Sequence, residues 1–141
     1  MIKFNCSGGV EDIGGNKILV KFDNTSIFFD FGLSYSKESL FFEEFLQPRS
    51  GCKIHDLIKL DLLPSIDGIY RQDALSPTNI ESYNIRAKKF WKVNLQSYEE
   101  ATKSDSWRPD ALFISHAHLD HCGYTPYLGS FPFFCSKTTQ K

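Results

Sequence analysis

From Ser115 to Gly123 the chain reads Ser-His-Ala-His-Leu-Asp-His-Cys-Gly, so three of its four histidines and one carboxylate fall within six consecutive residues. The apolar run Ala111-Leu112-Phe113-Ile114 leads directly into them. Imidazole nitrogen and carboxylate oxygen suit zinc and similar divalent ions, and a ligand-rich loop at a strand end can aim several of them at one point. The fold must therefore deliver a strand end to a place where His116, His118, Asp120 and His121 can converge. In extended backbone His116 and His118 share a face, because side chains alternate, and can take one ion. Asp120 and His121 are adjacent; a turn or helix there lets them address a second ion, at the roughly 3.5–4 Å spacing of two-metal hydrolytic sites.

On these residues the chain resembles the metallo-β-lactamase superfamily, whose His-x-His-x-Asp-His signature it matches at every defined position. The resemblance implies an α/β (α+β) chain in an αββα sandwich, with residues 1–141 as its N-terminal part, built on a mixed or antiparallel sheet. It also implies two divalent metal ions, zinc by preference, the first held by His116 and His118 and the second by Asp120 and His121. Asp120 would in addition orient the attacking nucleophile, which makes it the expected catalytic residue. The family draws a third histidine, a bridging aspartate and a last histidine from later in its chain. None follows His121 here, so the segment by itself is expected to be inactive, with a C-terminal part of the same protein or a homo-oligomer completing it.

Asp30 closes the apolar strand Ser26-Ile27-Phe28-Phe29 and is followed by Phe31-Gly32. A carboxylate at such a place needs partners, since burying it unpaired is costly. The resemblance implies that Asp30 supports the ligand loop through hydrogen bonds without binding metal; capping the next turn is the other reading of the same residue.

The sequence His-x-His-Leu-Asp-His-Cys-Gly, followed by Tyr124-Thr125-Pro126-Tyr127-Leu128, is similar to the β-CASP branch, which includes ribonuclease J. That likeness implies a zinc phosphodiesterase acting on RNA. Hydrolysis of thioesters or lactones by the same fold is the alternative, and a catalytically incomplete binding scaffold is the other. No Ser/His/Asp or Cys/His arrangement competes, because the clustered histidines are already assigned to metal.

Composition excludes little beyond this. A chain of 141 residues, 41% hydrophobic and 15% aromatic, can bury a single-domain core. Net charge of −1 supplies no overall field for nucleic acid or membrane. Cys6, Cys52, Cys122 and Cys135 form no CxxC pair, which fits reduced thiols and a cytoplasmic setting; Cys122 reads as a small packing residue beside the ligands. No apolar run is long enough to span a membrane, and Met1-Ile2-Lys3-Phe4-Asn5 lacks the apolar core of a signal peptide.

In chain order, residues 2–5 read as a strand, and 17–22 with 26–29 as a hairpin around Asp23-Asn24-Thr25. Ile13-Gly14-Gly15-Asn16 reads as a turn, and the family resemblance adds that its amides could face a phosphate. Residues 33–109 form a helical insertion, with helices expected over 36–46 and 55–63 and a partly exposed His55. Arg86, Lys88, Lys89 and Lys92 surround Phe90 and Trp91, letters shared by single-strand RNA binders and by a solvated helix face; Arg49 and Arg71 could reach a substrate anion or pair with nearby acids. Ser97 and Glu100 form a capping box. A strand over 111–115, a helix starting at Thr125-Pro126 and a strand over 132–135 complete the reading.

Overall fold

The β-branched and aromatic runs at Ile18–Phe22 and Thr25–Phe29 flank Asp23-Asn24, the local signal for a hairpin. In the computed structural model, which describes residues 1–43, 46–47, 49, 52–76 and 93–140, these runs are β2 (Ile18–Phe22) and β3 (Thr25–Phe29), paired antiparallel. The connection is two residues long, one fewer than expected, because Thr25 pairs with Phe22 while Asp23 takes the left-handed conformation at φ 51°. β1 (Ile2–Cys6) adds antiparallel to β2. β4 (Ala111–Phe113) then joins β3, and β5 (Phe133–Phe134) joins β4, both in parallel, which gives one five-stranded mixed sheet in the order β1-β2-β3-β4-β5. The protein is thus α+β.

Parallel neighbours cannot be joined by a tight turn. The crossover from β3 to β4 carries α1 (Tyr35–Glu38), α2 (Lys53–Lys59), α3 (Gln72–Leu75) and α4 (Tyr98–Lys103) among the described residues. The crossover from β4 to β5 carries the histidine-rich loop, α5 (Leu119–Cys122) and a 3-10 turn at Thr125–Tyr127. The parallel register Phe29↔Phe113 places the end of β3 beside the end of β4, so Asp30 emerges next to the start of the histidine loop.

One sheet face forms the core. Leu19, Phe28 and Leu112 are at most 2% exposed and share a hydrophobic cluster with Ile54, Leu57 and Tyr70. Burial reaches all round the middle of α2: His55 is 1% exposed, contrary to the partly exposed residue expected from its polarity. Both ring nitrogens find local partners there, since Nδ1 accepts from the Val93 amide at 3.1 Å and Nε2–H donates to the Leu75 carbonyl at 3.1 Å. Asp56, the next residue, is held by Arg49, whose Nε donates at 3.0 Å. Arg49 is thereby in an ion pair, as is the exposed Arg71 with Asp73 at 3.0 Å.

The helix expected over 36–46 stops after Glu38. Ser34 caps its start and Ser39 Oγ donates back to the Ser36 carbonyl at 2.8 Å, side-chain bonding of the kind that competes with helix propagation. The expected helices at 55–63 and from Thr125 are likewise shorter, and the strand over 111–115 ends at Phe113. The basic and aromatic residues Arg86, Lys88, Lys89, Phe90, Trp91 and Lys92 lie outside the described residues.

The capping box at α4 forms as read: Glu100 N donates to Ser97 Oγ at 3.1 Å and Ser97 N donates to Glu100 Oε2 at 2.9 Å. Ser97 is 1% exposed, and Ser97→Ala is expected to lower unfolding stability by about 1 kcal/mol, measured by urea titration.

The second face of the sheet is apolar too. Strand alternation and the pairing register put Ile2, Phe4, Ile18, Val20, Phe22, Ile27, Phe29, Phe113 and Phe134 on it. Phe29, Phe113 and Phe134 stack in a row with centroids 5.7 and 5.0 Å apart, yet each keeps 39–49% of its surface exposed. An open antiparallel sheet ordinarily carries polar residues on its outer face.

No helix among the described residues is long and apolar enough to cross a membrane.

Candidate metal centre

The chain leaves β4 at Phe113 and runs without regular structure to His118, which caps α5 with extended backbone (φ −71°, ψ 144°). His116 and His118 thus sit in a loop rather than on one strand face, and the loop still brings them together, with ring centroids 4.6 Å apart. The helical turn at Leu119–Cys122 swings Asp120 back over them. Ligand atoms of His116, His118 and Asp120 all lie within 4.8 Å of one another. Ligands around one tetrahedral zinc at about 2.0–2.2 Å stand about 3.3–3.6 Å apart, so this donor set would close on such an ion through side-chain shifts of about 1 Å. Asp120 thus stands beside the two histidines and, 3.5 Å from His121 Nε2, beside His121 as well.

His121 packs against the cluster, its ring 4.0 Å from that of His116. Its Nδ1 is 2.7 Å from Asp30 Oδ2, and its Nε2 is 3.5 Å from Asp120 Oδ2. Donation of Nδ1–H to the Asp30 carboxylate leaves a lone pair on Nε2, directed to the side where the Asp120 carboxylate stands. A carboxylate behind the remote ring nitrogen is the usual way a ligand imidazole is oriented and made more basic.

Asp30 organises this corner from the end of β3. It sits in the left-handed region at φ 57°, accepts from Ser115 N at 2.7 Å through Oδ1 and from Ser115 Oγ at 2.9 Å through Oδ2, and is 8% exposed. Its two oxygens thus tie the loop's first residue and the His121 ring to one point. The segment that follows lies along α5: Phe31 N donates to the His121 carbonyl at 2.7 Å and Leu33 N to the Leu119 carbonyl at 3.0 Å.

Ser115 and the side chain of Asn16, the last residue of the turn that the resemblance ties to the site, are further neighbours of the histidines. Ser115 Oγ lies 3.0 Å from His116 Nδ1 and 3.1 Å from His121 Nδ1, and the Asn16 amide nitrogen lies 3.3 Å from His121 Nδ1. Ser115 immediately precedes His116, the only local hint of its part; for Asn16 the hint is the resemblance of its turn, while its partner His121 lies 105 residues away.

The glycine turn before Asn16 has a different use from the phosphate contact the resemblance implied. Gly15 N and Asn16 N donate to the Asp120 carbonyl at 2.9 and 3.3 Å. Gly14 has φ 81°, and a Cβ on it would stand 2.6 Å from Asp120 Cβ. Only glycine permits both the positive φ and the approach.

Cys122 lies in α5 and is not in the ligand group. Burial first, then the Asp30 and Asp120 carboxylates, raise its thiol above the ordinary range.

No protein-family model and no curated protein matches the chain. Among solved structures it is similar to a protein of unknown function from Enterococcus faecalis V583, with a TM-score of 0.58 and 26% identity. The match covers 99% of this chain and 26% of that one, so the chain spans about a quarter of the length of the structure it resembles.

Proposed function

We propose that the chain carries the ligand loop of a zinc-dependent hydrolase of the metallo-β-lactamase type, with phosphodiester bonds of RNA as its substrate. The observation that carries the reading is the convergence of His116, His118 and Asp120 beside a His121 whose Nδ1 is already engaged by Asp30. Divalent ions held there would lower the pKa of a coordinated water towards neutrality and polarise a phosphoryl oxygen. The residues supply the rest. His116 and His118 offer neutral nitrogens from a loop anchored at Ser115, and His121 offers Nε2. Asp120 offers a carboxylate oxygen beside them as a hydrogen-bond acceptor that would orient an attacking water.

The finer fold assignment, an αββα sandwich, is supported by the apolar second face of the sheet, with its stacked Phe29, Phe113 and Phe134, which a second sheet would cover at the usual spacing of about 10 Å. The preference for RNA rests on the likeness of residues 116–128 to β-CASP nucleases.

Elemental analysis of the purified chain after zinc loading and dialysis is expected to find stoichiometric zinc, lost in His118→Ala and in Asp120→Ala. A protein that retains no zinc even when the C-terminal part expected to complete the ligand set is present would end the hydrolase reading. Zinc-dependent binding of a single-stranded RNA oligonucleotide is the expected second result; binding of a thioester substrate analogue in its place would favour the alternative chemistry.

A further inference from the structure

Lys17 stands just before β2 and is 2% exposed. A buried ammonium is costly unless something in the fold uses it. Its Nζ donates to the Gly15 carbonyl at 3.1 Å and lies 5.3 Å from the centre of the Tyr124 ring. Among the described residues no carboxylate forms an ion pair with it. Burial first, and then the charge of Lys37, push its pKa down to about 8, with Glu38 acting in the opposite sense.

The Gly15 carbonyl and the Asn16 amide belong to one peptide unit, which is planar, with C=O and N–H pointing to opposite edges. Lys17 holds the carbonyl edge, and the amide edge donates to the Asp120 carbonyl at 3.3 Å, next to the Gly15 amide at 2.9 Å. Gly14 and Gly15 both have positive φ (81° and 70°), so neighbouring side chains restrict the rotation of this peptide very little. A cation on the carbonyl supplies the missing restraint. It also polarises the amide, which strengthens the bond made at the other edge.

We propose that Lys17 is a positioning residue for the metal-ligand loop: its buried ammonium fixes the Gly15–Asn16 peptide, which in turn holds the backbone of Asp120. The inference rests on the metal-binding reading above and adds a residue that touches none of the ligands. Lys17→Met keeps the length and apolar body of the side chain and removes the charge. It is expected to weaken zinc affinity about 10–100-fold, the range for losing an outer partner of a metal site.

The measurement is competition of the protein with a chromophoric chelator for Zn2+, with cobalt substituted to report ligand geometry through its visible spectrum. Ser97→Ala serves as the control: Ser97 caps α4 through its bonds with Glu100, so this variant should lose stability yet retain wild-type zinc affinity and the wild-type cobalt spectrum. A folded Lys17→Met protein with wild-type affinity and spectrum would overturn the role of Lys17 alone. A wild-type protein that binds no zinc even with the C-terminal part present would overturn it together with the metal-binding reading. If Lys17→Met does not fold, the wild-type protein decides, because coupling between sites is reciprocal: filling the site with zinc should shift the Lys17 side-chain NMR resonances, and unchanged resonances at stoichiometric zinc would overturn the proposal.

Discussion

Replacing Asp30 with alanine is expected to destabilise the protein by about 3–5 kcal/mol, as read by denaturant unfolding, and to abolish tight zinc binding in whatever fraction remains folded. The carboxylate is the acceptor for Ser115 N, Ser115 Oγ and His121 Nδ1 at 2.7, 2.9 and 2.7 Å. Alanine leaves all three donors without it at a corner where Asp30 is 8% exposed, so little water replaces the lost acceptor. Asp30→Asn separates the two effects. Its amide oxygen can still accept from Ser115 N, so much of the stability should return. Its amide NH2, however, would face His121 Nδ1 as a donor and force the ring proton onto Nε2, the nitrogen directed at the cluster. Zinc affinity should therefore stay depressed in Asp30→Asn even where the melting temperature recovers. Equal recovery of both would show that Asp30 acts only as a structural acceptor.

Gly32→Ala is expected to be at least as damaging, about 3 kcal/mol or more, although it adds a single methyl group. A Cβ at this position would lie 1.7 Å from the Asp120 carbonyl oxygen, 2.0 Å from its carbon and 2.5 Å from His121 N. All three are backbone atoms, so no rotamer change can relieve the clash. Relief requires moving α5 away from the Phe31–Leu33 segment, which breaks the bonds from Phe31 N to His121 O and from Leu33 N to Leu119 O. That movement carries Asp120 and His121 out of the cluster. Loss of zinc affinity should thus accompany loss of stability, in contrast to Ser97→Ala, where only stability should fall. A Gly32→Ala protein as stable as wild type would mean that the chain does not pass this close to α5.

These two residues mark the boundary between what is local and what is not. The sequence by itself determines the mixed α+β character, the hairpin of β2 and β3, the α4 capping box and the concentration of ligand-type residues at 116–121, because each depends on neighbours a few positions apart. Asp30 was also legible as an oddity, a carboxylate closing an apolar strand. Tertiary structure alone decided its partners, through the parallel register of β3 and β4 that sets residue 30 beside residue 115. It likewise decided that His55 is buried, that the helix expected over 36–46 ends at Glu38, and that Asp120 comes within reach of His116, His118 and His121 together. Gly14, Gly15, Asn16, Lys17 and Gly32 read as ordinary turn and strand residues until the fold brings them against Asp120, about a hundred positions later in the chain. The physical reason is common to all of them. Backbone conformation follows from local sterics and hydrogen bonding, whereas burial, close approach and the pairing of a carboxylate or an ammonium depend on which distant segment the sheet register places alongside.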